Sequence, residues 1–210
     1  MRIERLEPDF YLYRGYCNDL ARLFDSRECT DRPCSSCDLA CADYKSPTCS
    51  CACAPDCQHA PKRMSSDGDQ FPVEAKVAPL VYAFLRLREC QPCWSCEGHE
   101  SRPGAPMRLP RVIFYARSTV YPALIAEAVA KLYFQKKISN RWEVVITPVG
   151  NMLDATYTLQ PNVALGEVVG LDHLQVDARI IAESLCDGVL GAAKMYQAEL
   201  SAALVAPDIA

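Results

Sequence analysis

Twelve of the thirteen cysteines precede residue 97, in an arrangement suited to holding metal. One run is Cys29, Cys34, Cys37, Cys41, Cys49, Cys51, Cys53 and Cys57; a second is Cys90, Cys93 and Cys96, followed by His99. Thiols this dense oxidise unless something bonds them. The chain opens MRIERLEPDF, which lacks the apolar stretch of an export signal. A cytoplasmic location is therefore expected, where clustered cysteines hold metal more often than disulfides. Complete disulfide pairing also sits poorly with an odd count.

In the first run, Cys34 and Cys37 form a C-x2-C chelate that Cys29 and Cys41 could close into a zinc tetrahedron. Cys49, Cys51, Cys53 and Cys57 could form a second site, with His59 as a substitute ligand. The short C-x-C steps would also suit thiolates that bridge two metals. The spacing from Cys29 also matches two-iron ferredoxins, so an iron–sulfur cluster is the alternative cofactor, disfavoured by the spare cysteines nearby. The plain alternative is a regulatory loop of free thiols.

The second run is the sharper signal. Three cysteines at x2 spacing would suit one side of an iron–sulfur cubane, but the fourth thiolate is missing. His99 continues the spacing and would complete a three-thiolate, one-imidazole zinc site. With only three protein ligands, zinc keeps a position for water, which Glu97 or Glu100 could serve as general base with Arg102 assisting. Thiolate donation weakens zinc as a Lewis acid, so a structural site is favoured over a catalytic one.

Several elements must position these groups. Residues 9–24 place Phe10, Tyr13, Cys17, Leu20 and Phe24 at helical spacing, which makes Cys17 a packing residue. Residues 25–62 show no periodicity and too few large apolar side chains to fold without metal. Helical character returns over 73–89. The run RVIFYA from 111, WEVVITPV at 142–149 and ATYTLQ at 155–160 read as strands. Between the first two, 119–137 is helical, and a right-handed parallel crossover is expected. A long helix or pair of helices fills about 172–204, with Asp172 as a cap, Cys186 in the core and His173 at the surface.

Half the residues are hydrophobic and no apolar run reaches membrane-spanning length. Residues 1–62 carry eight basic and ten acidic groups, which argues against a phosphate-gripping finger and so against nucleic acid as partner. No phosphate loop or G-x-S-x-G motif occurs. Ser95-Cys96-Glu97-Gly98-His99, followed by PRVIFYA, resembles a Ser-Cys-x-Gly-His segment leading into a strand in uncharacterised bacterial and phage proteins. That resemblance implies no activity.

The expected fold class is α/β, or α+β. A metal-binding region (1–62) and a helix with the second cluster (73–110) would precede a three-stranded unit with a long C-terminal helix (111–210). The expected function is a zinc-binding adaptor with protein partners. The alternative is a metalloenzyme, zinc hydrolase-like or iron–sulfur redox, centred on Cys90, Cys93, Cys96 and His99.

Overall fold

Leucines at helical spacing bury the first element: α1 (Phe10–Asp25) turns Leu20 and Leu23 into the core and leaves Cys17 half-buried. The structure, a computed structural model, describes residues 10–25, 67, 69–100, 108–147, 155–164 and 169–205. The run from Cys29 to Cys57, with His59 and Arg102, lies outside the described residues. After α1 come α2 (Ala78–Arg86), β1 (Cys90–Cys96), β2 (Arg111–Ala116), α3 (Val120–Phe134), β3 (Trp142–Thr147), β4 (Thr156–Pro161) and α4 (Leu171–Val205).

The fold is mixed α/β around one sheet of four strands, in the order β1-β2-β4-β3 with every neighbouring pair antiparallel. This corrects the expected count of three. The added strand is the second cysteine run itself, to which the sequence reading assigned metal ligation and no strand. Pro92 is tolerated because β1 is an edge strand, and the register slips between Pro92 and Trp94, leaving Cys93 as the extra residue of a bulge. The expected parallel crossover from β2 to β3 is present, although the two strands are not neighbours. β2 and β3 are parallel, as a helix connection predicts, but β4 folds back between them and pairs with both.

One face of the sheet packs on the helices through Val112, Phe114, Tyr157 and Leu159. The Phe114 ring lies 4.6 Å from Phe84 of α2 and 5.8 Å from Tyr157. Burying each such side chain contributes roughly 1.5–3 kcal/mol. Helix α2 is shorter than the expected 73–89; its first turn carries Pro79, where a missing N–H does no harm. Helix α4 is a single element. Its buried Leu174, Ala178, Ile181, Leu185 and Ala192 follow the predicted face, and Cys186 is buried as expected. Tyr196 instead lies at the rim, its hydroxyl donating to Glu127 at 2.6 Å. Asp172 lies inside the first turn, 3.6 Å from Lys76. No helix among the described residues is long and apolar enough to cross a membrane.

Gly188 lets α4 approach α3: a Cβ there would stand 3.0 Å from that of Ala128, whereas one at Gly191 would meet nothing within 4 Å. Gly188→Leu is therefore expected to lose about 1–3 kcal/mol in urea unfolding. Gly191→Ala should match the parent or gain up to about 1 kcal/mol from helix propensity.

Cys90 is buried in the helical core, and burial, followed by the neighbouring Glu89 carboxylate, pushes its thiol from 9.0 to about 12. Burial first, then Glu89 and Asp19, likewise raises the Tyr121 phenol, which donates to the Asp19 carbonyl at 2.8 Å. Both groups stay neutral in the fold after the unfolded chain would have ionised. Their stabilisation is thus complete below about pH 9 and declines as pH rises toward the folded values. The melting temperature should fall steadily from about pH 9 upward, and less steeply in Cys90→Ala.

Candidate metal centre

Beyond β1 the chain makes a turn that only glycine fits. Gly98 has φ +84°, and a Cβ there would lie 2.6 Å from Leu171 Cδ1 and 2.9 Å from Pro110 Cδ. The turn brings His99 into a short antiparallel bridge with Arg108, N–H to carbonyl at 2.9 Å and 3.1 Å. On the other side, the Glu74 carbonyl accepts from Ala78 N–H at 3.0 Å and starts the turn leading into α2.

Two carboxylates lock these segments together. Glu74 Oε2 accepts from Glu97 N–H at 2.6 Å, and Glu97 Oε2 accepts from Lys76 N–H at 2.9 Å. From α4, Gln175 donates to the Glu97 carbonyl at 3.0 Å and accepts from Lys76 Nζ at 2.6 Å. Glu97 is thereby a positioning group, and Glu100 is exposed.

The clamp gathers Glu74, Cys96 and His99 so that one ligand atom of each lies within 4.8 Å of the others. His99 Nε2 is 2.8 Å from Glu74 Oε1. Tetrahedral zinc with oxygen, nitrogen and sulfur ligands needs separations of about 3.3–3.7 Å, so small side-chain adjustments suffice. Cys96 is buried, and burial pushes its thiol up, with Glu74 adding to the effect; Gly98 N–H, donating to Sγ at 3.4 Å, and the charges of Arg111 and Arg108 favour the thiolate.

The other sequence candidates separate. A strand rises about 3.3 Å per residue, so Cys90 and Cys96 lie about 20 Å apart and cannot share an ion. Cys90 is a core residue instead. Cys93 is exposed at the bulge, with its Sγ 3.5 Å from the Ile113 carbonyl. Glu74 and Arg108 were absent from the sequence reading, since no spacing signal links Glu74 to a cysteine 22 positions later.

The group stands at the edge of a cleft of about 910 Å³ lined also by Phe71, Leu85, Pro92, Cys93, Trp94 and Arg108. Comparison with protein-family models, curated proteins and solved structures finds no match to this chain.

Proposed function

We propose that this protein binds one zinc ion through Glu74, Cys96 and His99 and uses it to hold a ligand in the adjoining cleft. The observation that carries this reading is the convergence of an oxygen, a nitrogen and a sulfur donor within 4.8 Å at the edge of that cleft. A thiol and an imidazole select a transition metal over magnesium or calcium, and zinc accepts all three donor types. Three protein ligands leave a position for a ligand atom, where a bound ion supplies Lewis acidity.

Each chain group has a defined part. Gly98 N–H steadies the Cys96 sulfur, the Glu97 N–H orients Glu74, and the Arg108 backbone holds His99. The cysteine run from Cys29 to Cys57 is proposed separately as a zinc-folded scaffold, and protein partners and cytoplasmic location remain part of the proposal. The test is zinc content of the full chain. His99→Ala should lower it by one equivalent, with loss of less than about 1 kcal/mol of stability in the metal-free chain because the His99–Glu74 pair is half exposed. Equal zinc content in the parent and the variant would overturn the assignment.

A further inference from the structure

We propose, resting on the zinc reading above, that the cleft takes a small carboxylic acid bearing an aromatic or branched apolar group. Its carboxylate would meet Arg108 beside the ion, and its apolar part would lie on Phe71, Leu85 and Trp94. These three side chains are exposed by 71%, 40% and 46%, and all line this one cleft. Large apolar groups concentrated around a concavity mark a binding wall more often than an accident of folding.

The cleft lining also carries a cation, Arg108. Arg108 is exposed, makes no ion pair among the described residues and pairs its backbone with the ligand His99. Arg111 lies over the Trp94 ring at 4.9 Å, and its Nε is buried without a hydrogen-bond partner. The stacking holds the indole in place and adds a second positive charge acting on Cys96. Arg108 and a bound ion would both attract an anionic head and repel a cationic one. Arg108 can bind a carboxylate through two N–H groups, which discriminates it from a neutral alcohol.

The test titrates 3-phenylpropanoate, propanoate and 3-phenylpropan-1-ol into the full chain by calorimetry, zinc-loaded and metal-free. The zinc-loaded chain should bind 3-phenylpropanoate about tenfold tighter than either other probe, a difference of about 1.4 kcal/mol. Arg108→Gln should abolish the preference over the alcohol, and Trp94→Leu the preference over propanoate, each compared with the parent at the same zinc occupancy. Leu85→Ser reads the same wall should Trp94→Leu fail to fold. Probe affinities within about twofold of one another, or unmoved by these variants, would overturn the proposal. If His99→Ala leaves zinc content unchanged, the metal reading fails by itself. The cleft proposal is then decided on the metal-free chain: the same probe order supports it, and equal affinities end it.

Discussion

Asp177→Ala is expected to lose about 3 kcal/mol of stability, a loss set by stranded hydrogen-bond donors and not by an emptied core. Asp177 is only 1% exposed, yet its carboxylate accepts three hydrogen bonds, from Ser139 N–H at 2.8 Å, Asn140 N–H at 2.9 Å and Asn140 Nδ2 at 2.8 Å. It thereby ties α4 to the α3–β3 connection, just before Trp142 enters the sheet. Removing it strands two backbone N–H groups in a partly buried loop, and each unsatisfied donor costs about 1–3 kcal/mol. Asp177→Asn keeps one acceptor oxygen and the side-chain volume, so its loss should be about half as large. Urea unfolding checks both. An alanine variant within about 0.5 kcal/mol of the parent would mean that the connection relaxes and finds other partners.

The parts of this fold legible in the sequence are those whose signal is local. β2, β3 and β4 announce themselves as short β-branched or alternating runs, and α4 as a sustained three-and-four repeat through Leu174, Ala178, Ile181 and Leu185. β1 is hidden because Pro92 argues against a strand and because cysteines at x2 spacing point to a chelate. Its pairing with β2, Cys90 opposite Ala116 and Cys96 opposite Arg111, is a tertiary fact. Extended backbone then pulls the three thiols apart. Cys96 and His99 were legible as ligand types, since the turn between them is local. Glu74 was not: its carboxylate reaches the site only because Glu97 and Lys76 reciprocate across two chain segments, and no periodicity records such a bond. The same distinction separates Cys90 from Cys96. Both belong to one sequence motif, but the bulge at Cys93 turns the first into the helical core while the second faces Glu74.

Gly98→Ala should remove the metal group and much of the fold's stability together. At φ +84° a side chain adds roughly 1–2 kcal/mol of backbone strain. The new Cβ would also press on Leu171 Cδ1 at 2.6 Å, Pro110 Cδ at 2.9 Å and the Arg108 carbonyl at 3.0 Å. The leucine tip can move. The proline ring and the carbonyl cannot move without breaking the His99–Arg108 bridge, which shares that carbonyl. We expect a total loss of about 2–4 kcal/mol. The turn would have to open, carrying His99 from Glu74 and Gly98 N–H from the Cys96 sulfur, so the variant should bind one zinc fewer even where it stays folded. Gly98→Asn separates the two causes. Asparagine tolerates positive φ but carries the same Cβ, so it should lose zinc as alanine does while recovering part of the backbone strain. An asparagine variant with full zinc content would show that φ alone, and not close approach at Pro110 and Arg108, makes glycine necessary. It would also mean that the convergence of Glu74, Cys96 and His99 does not depend on close packing at this turn.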